Sequence, residues 1–457
     1  MADTPSAQPR LFIANRGEIA LRIVRAAHAL GIETVLGVSL ADRDSLAARE
    51  AERVVVLGPA PSRESYLNEK LVVHAAVASG CTALHPGYGF LSERPELAAL
   101  CAEEGITFVG PTSDSISSVG DKLSAKRLAQ AAGVPLTRGS EKLRDVAHAL
   151  EVAAGIGYPV ITKASAGGGG RGMLIAHNAE DLARVFDQAQ TTAREAFGDD
   201  TLYLEAFVER ARHLEVQLMG DGKGGVVHFA ERDCSVQRRY QKMIEEAPAA
   251  ILPADVRARL HASAVDLLSS IKYRNAGTVE FLYDEARQTF SFMEVNARIQ
   301  VEHPVSEQIT GIDLIKAQLE TAMGARPLPR QSDIHVHGHA IEARILAEDP
   351  ARNFIPCPGR ITKWSPPSGP GIRLDPAVGE GGLVPPYYDS MIAKLIAYGQ
   401  TREQAVDRLS RALDTFEVEG IATNIPLLRA IVGHTDFRTN TVSTRWLETT
   451  VLPAFAV

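Results

Sequence analysis

The chain is 457 residues long, with 45% hydrophobic and 23% charged residues and a formal net charge of −8. This length suggests about three domains, and the composition is ordinary for a soluble globular protein. A nucleic-acid-binding protein would need a basic stripe, and the acidic balance of this chain argues against one.

The N-terminus and the cysteines indicate the compartment. The first residues lack the apolar core of a signal peptide, and no run approaches the ~18 apolar residues of a membrane span. The cysteines are scattered without metal-site spacing, at positions 81, 101, 234 and 357. Such spacing is typical of reduced thiols in a cytosol. The sequence therefore predicts a cytoplasmic protein with neither a membrane nor a nucleic-acid partner.

Strand and helix patterns alternate through the N-terminal part of the chain. Apolar runs predict strands at residues 11–15, 34–39 and 54–57, and helical periodicity predicts helices at 19–30, 67–79 and 95–104. This order predicts a doubly wound α/β domain with a parallel sheet. Gly87 and Gly89 do not form a dinucleotide fingerprint, because they open no helix and lack a third glycine.

A glycine-rich loop follows a polar helical connector at residues 113–133. The strand at 158–163 ends in Lys163, four consecutive glycines lie at 167–170, and a second strand begins at 174. This order predicts a hairpin whose tip can close over phosphates through its backbone amides. It is not a Walker loop, because the lysine precedes the glycines. A flexible linker is the alternative, which the tight flanking strands disfavour.

Several elements lie between this loop and the middle of the chain. Asn178 can cap a helix that runs to about residue 197, and the end of a strand at 201–208 would suit the edge of an adenine ring. A strand at 212–218 places His213, Glu215 and Gln217 on one face. Three cations in five positions then form either a solvated face or an anion cradle, namely Arg238, Arg239 and Lys242. A helix at about 254–272 follows.

A central hairpin is predicted where residues 278–283 and 290–303 flank a polar turn at 284–288. If the second arm stays extended through Glu302, alternation places its polar side chains on one face, namely Glu294, Asn296, Arg298, Gln300 and Glu302. Glu280 on the first arm could face the same cleft. A polar outer face is the alternative, but it predicts mixed Lys, Thr and Ser rather than clustered carboxylates.

The carboxylates of this hairpin favour a metal site. Glu280, Glu294 and Asn296 supply the oxygen ligands that suit a magnesium ion holding phosphates. Without a cation between them, neighbouring carboxylates raise each other's pKa. Arg298 and Gln300 would hold a small planar anion.

The last third of the chain carries weaker signals. His335, His337 and His339 have a spacing that could bind zinc, but no fourth ligand is evident and strands often alternate this way. The next residues predict a strand with Glu342 and Arg344 on one face. Short strands and turns at 356–386, a strand near 391, and a helix at 402–416 complete the pattern.

These segments together resemble the biotin carboxylase family, within the ATP-grasp superfamily. The resemblance runs from residue 11 to about 447 and is carried by residues 13–20, 85–93, 163–173, 231–235, 294–303 and 385–391. It implies a mixed α/β and α+β multidomain fold. A Rossmann-like N-terminal domain would span 8–115, an ATP-grasp domain 116–330 with a mobile glycine-loop lid at about 135–207, and a C-terminal biotin carboxylase domain 331–450.

The resemblance also implies a reaction and its residues. Biotin would be carboxylated with ATP and bicarbonate through carboxyphosphate. ATP would contact Lys122, Lys163, Gly169, Gly170, Glu205, Ala206, Phe207, Val208, His213, Gln237, Tyr240, Glu280 and Glu294. Magnesium or manganese would be held by Glu280, Glu294 and Asn296. Bicarbonate would be held by Lys242, Arg298, Gln300 and Val301. Glu302 would deprotonate the bicarbonate, and Arg344 would bind biotin and stabilise its enolate.

Two positions depart from the family pattern. Tyr240 stands where the family usually has His, and a phenol can still donate to a phosphate or ribose oxygen, so altered ATP contacts are expected rather than lost activity. Ala166 replaces a loop glycine, which is tolerable if φ stays negative there.

The chain has no Met-Lys-Met attachment sequence and stops at Val457. It therefore resembles a stand-alone subunit acting on biotin carried by a separate carrier protein, with carboxyltransferase subunits as further partners. The expected role is the first half-reaction of acetyl-CoA carboxylase, in fatty acid biosynthesis, by a homodimer. The alternatives are a subunit of another acyl-CoA or 2-oxo-acid carboxylase, another ATP-grasp carboxylate–amine ligase, or a regulatory protein that has kept the fold without turnover.

Overall fold

A computed structural model describes residues 9–165 and 173–455. Its N-terminal elements are β1 (Arg10–Ile13), α1 (Gly17–Ala29), β2 (Glu33–Ser39), α2 (Leu46–Glu50), β3 (Arg53–Gly58), α3 (Glu69–Ala78), β4 (Ala83–His85), α4 (Pro95–Glu103) and β5 (Thr107–Phe108). The strands pair in parallel in the order β3-β2-β1-β4-β5. Leu11 and Ile13 face one apolar core while Phe12 faces another, as expected for a sheet covered on both faces. The doubly wound prediction is confirmed.

A small three-stranded unit follows two linking helices. Its elements, with the linking helices first, are α5 (Ser113–Gly120), α6 (Lys122–Ala131), α7 (Val146–Ile156), β6 (Val160–Ala164), β7 (Leu174–Ala176), α8 (Ala179–Phe197) and β8 (Leu202–Ala206). The strands are antiparallel in the order β7-β6-β8 and share a separate apolar core with α7 and α8. Asn178 caps α8 by accepting from the Asp181 amide at 2.9 Å. Ala166, Gly169 and Gly170 lie outside the described residues.

The middle of the chain supplies five long strands. Its elements are β9 (Ala211–Asp221), β10 (Val226–Arg238), β11 (Gln241–Ala247), α9 (Ala254–Ser270), β12 (Arg274–Asp284), β13 (Thr289–Asn296), α10 (His303–Thr310) and α11 (Leu314–Ala322). The C-terminal elements are β14 (His339–Leu346), β15 (Glu348–Asp349), β16 (Ile355–Pro356), β17 (Gly359–Arg360), β18 (Lys363–Ser365), β19 (Ile372–Pro376), β20 (Leu383–Val384), β21 (Met391–Gly399), α12 (Arg402–Thr415), β22 (Glu417–Glu419), α13 (Ile425–Gly433), α14 (Thr435–Arg438) and α15 (Leu452–Phe455).

One antiparallel sheet of eight strands joins these two parts. Its order is β13-β12-β9-β10-β11-β14-β21-β19. The junction is the pairing of β11 with β14, which sets Glu245 opposite Glu342. Polar side chains from β9 to β14 therefore share one continuous surface, and that surface forms the floor of the site.

The central hairpin forms, but its second arm is shorter than expected. Glu280 lies opposite Glu294, and Thr278 lies opposite Asn296. The prediction of an extended arm through Glu302 is wrong, because β13 ends at Asn296 and the chain turns before α10. Proline in the first turn of α10 fixes a helical start and cannot continue a ladder of strand hydrogen bonds.

Candidate active site

The predicted site residues converge on one cavity of about 790 Å³. Its walls come from the N-terminal domain, the three-stranded unit and the eight-stranded sheet. All of the predicted residues in the described part of the chain line it, namely Lys122, Lys163, Glu205, Ala206, Phe207, Val208, His213, Gln237, Tyr240, Lys242, Glu280, Glu294, Asn296, Arg298, Gln300, Val301, Glu302 and Arg344. This cavity thus coincides with the residues that the sequence predicts for the site.

Lys242 lies at the centre of the cavity floor, held by three carboxylates. Its Nζ donates to Glu215 Oε2 at 2.6 Å, to Glu302 Oε1 at 2.7 Å and to Glu280 Oε1 at 3.0 Å. All three carboxylates are buried. Because an ammonium has three donors, this arrangement satisfies it fully.

Opposing effects set the charge states of this cluster. Burial would lower the pKa of Lys242, but the three carboxylates raise it well above its ordinary value. Burial would raise the pKa of Glu215, but Arg232 and Lys242 lower it to about 2. Burial would likewise raise the pKa of Glu280, yet Lys242 and His213 hold it below its usual range. The cluster is therefore ionised at neutral pH, with its carboxylates held apart by the cations.

The Glu280–Glu294 pair has the character expected of a metal site. Burial and the neighbouring Glu280 carboxylate raise the pKa of Glu294, which is the repulsion that a cation would relieve. Asn296 Nδ2 donates to Glu280 Oε1 at 3.0 Å, so the three predicted ligands are neighbours. These oxygen donors fit magnesium or manganese, and Glu280, Glu294 and Asn296 would hold the ion.

A second grouping of potential ligands was not predicted. Within the described residues, single ligand atoms of His213, Glu215 and Glu280 lie within 4.8 Å of one another, as do those of Glu215, Cys234 and Glu302. His213 Nε2 lies 2.8 Å from Glu280 Oε2. Glu280 thus belongs to the predicted ligand set, to the Lys242 cluster and to this second grouping.

Arg298 is held by three side-chain partners. It donates to Glu93 Oε2 at 2.9 Å, to Gln300 Oε1 at 2.7 Å and to Asn296 Oδ1 at 3.0 Å. Gln300 in turn donates to Glu280 Oε1 at 3.2 Å. Residues 297–302 do not form a strand, but these contacts hold the side chains of Arg298 and Gln300 in the cavity.

Glu302 joins Lys242 to Arg344. Its Oε2 accepts from Arg344 at 3.0 Å, and Arg344 Nε also donates to Glu245 Oε1 at 2.6 Å. Burial and Glu215 favour protonation of Glu302, but Lys242 and Arg344 outweigh them and lower its pKa. Glu302 is thus a buried carboxylate that is ionised at neutral pH and can accept a proton from a bound molecule.

The three-stranded unit contributes Lys163 and Glu205. Glu205 accepts from both Lys163 and Lys126. Burial disfavours the charge on Glu205, but the two lysines lower its pKa. Lys126 was missed by sequence reasoning, although it lies four residues after Lys122 on α6 and therefore shares its face.

The predicted cradle of three cations is only partly correct. Arg238 stacks on the ring of Phe354 at 3.7 Å, and the Arg239 amide donates to Glu448 at 2.7 Å. Lys242 alone among the three lines the cavity. The cause is a two-residue turn in which Arg239 and Tyr240 both have positive φ, +46° and +66°, so alternation does not carry through it.

Tyr240 lies in that turn at the mouth of the cavity, with 54% of its surface exposed. Partial burial of the phenol and the nearby Glu448 carboxylate raise its pKa, so the hydroxyl keeps its proton and can donate. In the histidine-rich segment, His339 Nε2 lies 2.9 Å from Glu246 Oε2, and the rings of His335 and His337 are 6.2 Å apart.

Residues 7–116, 121–330 and 342–449 match, in that order, the families described as biotin carboxylase N-terminal domain, carbamoyl-phosphate synthase L chain ATP-binding domain, and biotin carboxylase C-terminal domain. These matches and the site define an ATP-grasp enzyme. Biotin carboxylase 1 of Bacillus subtilis is 47% identical over 441 residues, which are 96% of this chain and 98% of the relative. The chain belongs to the biotin carboxylase family, and the predicted fold class is confirmed.

Solved structures agree with this assignment. The Campylobacter jejuni biotin carboxylase–beta-gamma-ATP complex has a TM-score of 0.92 and 43% identity, with 97% of this chain and 99% of that chain covered. The biotin carboxylase domain dimer of Hydrogenobacter thermophilus 2-oxoglutarate carboxylase, in complex with MgADP, ADP and bicarbonate, has a TM-score of 0.90 and 44% identity, with 97% and 98% covered. Among the described helices, none combines the length and apolarity needed to cross a bilayer.

Arg298→Ala is expected to raise the barrier for ATP cleavage by ~2.7–4 kcal/mol, as for the loss of one preorganised charge-stabilising donor. The structure adds a cause, because Glu93, Asn296 and Gln300 all lose their common donor. The measurement is kcat/KM for bicarbonate. Arg287→Ala is the matched control, since Arg287 is exposed in the hairpin turn. Near-normal turnover of Arg298→Ala would contradict the prediction that Arg298 holds bicarbonate.

Proposed function

We propose that this protein carboxylates biotin with ATP and bicarbonate and releases ADP. The observation that carries the proposal is the chain of contacts from Arg298 and Gln300 through Glu280 and Lys242 to Glu302 and Arg344. The guanidinium of Arg298, the carboxylate of Glu302 and the guanidinium of Arg344 line one cavity, which supports their proposed roles in binding bicarbonate, taking its proton and binding biotin. The nucleotide and bicarbonate named for the related structures support the same substrates.

Each step has its residues. Lys242, Arg298, Gln300 and Val301 hold bicarbonate, and Glu302 takes its proton as the oxygen attacks the γ-phosphate. The resulting carboxyphosphate breaks down to carbon dioxide and phosphate, and the phosphate takes the proton of the biotin ureido nitrogen. Arg344 stabilises the enolate that attacks carbon dioxide. Positioning and charge neutralisation supply most of the catalysis of phosphoryl transfer.

ATP lies against Lys122, Lys163, Glu205–Val208, His213, Gln237 and Tyr240 in this proposal, with Gly169 and Gly170 contributing from the loop. A magnesium or manganese ion on Glu280, Glu294 and Asn296 supplies charge neutralisation for the phosphates. Domains at 8–115, 116–330 and 331–450 are part of the proposal, with a lid at about 135–207 that closes to keep water from carboxyphosphate.

The partners follow from the reaction. A biotin carboxyl carrier protein presents the biotin, and carboxyltransferase subunits use the product. We propose that the reaction takes place in the cytoplasm as the first half-reaction of acetyl-CoA carboxylase, in fatty acid biosynthesis. The dimer named for a related structure supports a homodimer. The 2-oxo-acid carboxylase among the related structures favours one alternative, a subunit with a 2-oxo-acid acceptor.

The decisive experiment measures ADP release by the purified protein with magnesium-ATP and bicarbonate, with and without free biotin. We expect biotin to stimulate ADP release and the stimulation to vanish without bicarbonate. ATP cleavage indifferent to biotin would indicate another ATP-grasp ligase. ATP binding without cleavage would indicate a non-catalytic protein, and Tyr240→His would then test whether the departure at that position is responsible.

A further inference from the structure

A pair of buried carboxyl groups lies directly behind Arg344. Glu245 on β11 and Glu342 on β14 are opposite each other in register, and both are buried with 0% exposure. Opposed residues of antiparallel strands project to the same face, with Cβ atoms about 4.5–5.5 Å apart. Arg344 follows Glu342 by two residues on the same face, and Lys394 on β21 lies opposite Arg344.

Three oxygens of this pair have no donor. Within the described residues, no hydrogen bond reaches Glu342 Oε1, Glu342 Oε2 or Glu245 Oε2. Glu245 Oε1 alone is satisfied, by Arg344 Nε at 2.6 Å. A fully buried ionised carboxylate without any donor is very costly, and such a group takes up a proton instead.

We propose that Glu245 and Glu342 share one proton, and that the neutral carboxyl of Glu342 donates it to Glu245 Oε2. Glu245 is then fixed at both oxygens and positions the Arg344 guanidinium for the biotin part of the reaction. This role rests on the function proposed above. Both glutamates are positioning residues, because they act through Arg344.

The surrounding charges agree with one shared proton. The charged or titratable groups that interact electrostatically with the pair are Arg344, Lys394, Lys242, Glu302 and the thiol of Cys234. Lys394 is already engaged by Glu18 at 3.1 Å and by the Val301 carbonyl at 2.9 Å. Burial raises the pKa of Glu342 well above its ordinary value. Burial also raises the pKa of Glu245 to about 7, although Arg344 opposes this.

Three variants separate positioning from general structural damage. In Glu342→Gln the amide can still donate to Glu245 Oε2, so KM for free biotin is expected to stay near the wild-type value. In Glu342→Ala that donor is lost, and KM for biotin is expected to rise about tenfold, from the cost of a buried unsatisfied acceptor. Glu245→Gln removes the charge that holds Arg344 and is expected to raise the same KM at least as much. KM for ATP should change little in all three variants.

Infrared spectroscopy tests the proton without turnover. The wild-type minus Glu342→Gln difference spectrum is expected to show the carbonyl stretch of a protonated carboxylic acid at neutral pH. Absence of that band, or a Glu342→Gln variant as impaired as Glu342→Ala, would overturn the proposal. If Glu342→Ala does not fold, the presence or absence of this band decides whether the proposal stands. A wild-type protein that shows the band without biotin-dependent cleavage would refute the proposed function and leave the shared proton standing.

Discussion

Lys242→Met is expected to lower the free energy of unfolding by about 3–5 kcal/mol, the usual cost of removing one partner from buried ion pairs. The ammonium is the common donor to Glu215, Glu280 and Glu302, and methionine has similar length but no charge. Urea unfolding at neutral pH measures the loss. Lys223→Met is the matched control, because Lys223 is exposed at the turn between β9 and β10 of the same sheet.

The pH dependence of that loss has a definite sign. In the wild type the pKa of Glu215 is lowered to about 2, so its contribution to stability is present above the unfolded value of about 4.3 and disappears as the pH falls through about 2. Without Lys242 the folded-state pKa values of the carboxylates rise, and protonation then relieves their repulsion. The difference in stability between variant and wild type should therefore shrink on acidification. A difference that is zero at neutral pH would contradict the assigned burial of the charge.

Glu302→Gln is expected to reduce bicarbonate-dependent ATP cleavage by about 10²–10⁴-fold, the usual contribution of a general base. The amide is nearly isosteric and its one oxygen can still accept from Lys242 or Arg344, but it cannot accept the proton of bicarbonate. Single-turnover ADP formation measures the cleavage, and calorimetry with ATP measures binding. ATP affinity should be unchanged.

Glu285→Gln is the control for this change, because Glu285 is exposed in the turn of the same hairpin. As the pH falls, the wild type should keep its ATP cleavage to a pH below the ordinary pKa of a glutamate. The reason is that Lys242 and Arg344 lower the pKa of Glu302 despite its burial. Unchanged cleavage in Glu302→Gln would exclude Glu302 as the base and would leave Lys242 and Arg298 with binding roles only.

Sequence periodicity predicts the fold well where one face of an element is buried. The parallel N-terminal sheet, the hairpin that carries Lys163 and the helix capped by Asn178 all follow from local patterns. The site residues of β9 and β12 follow as well, because alternation in a regular strand fixes which side chains share a face.

The parts of the site that the sequence does not predict depend on contacts between residues distant in sequence or on irregular backbone. Glu93 reaches Arg298 from a loop of the N-terminal domain, and no spacing rule connects the two. Arg238 does not share a face with Lys242, because Arg239 and Tyr240 between them have positive φ and form a turn. No repeating pattern in the sequence indicates that turn. β11 pairs with β14, which creates the Glu245–Glu342 pair. The residue pattern of each strand does not predict which strand it pairs with.

The separate core of the three-stranded unit has a mechanical consequence. Leu182, Phe186 and Leu204 are buried within that unit's own cluster rather than in the cores beneath the larger sheets. If the lid proposed above opens and closes as a rigid body, this cluster can stay packed during the motion. Admission of nucleotide and departure of ADP then require no exposure of the main apolar cores. The energetic barrier to exchange would come chiefly from polar contacts between the unit and the rest of the chain, such as Lys126–Glu205.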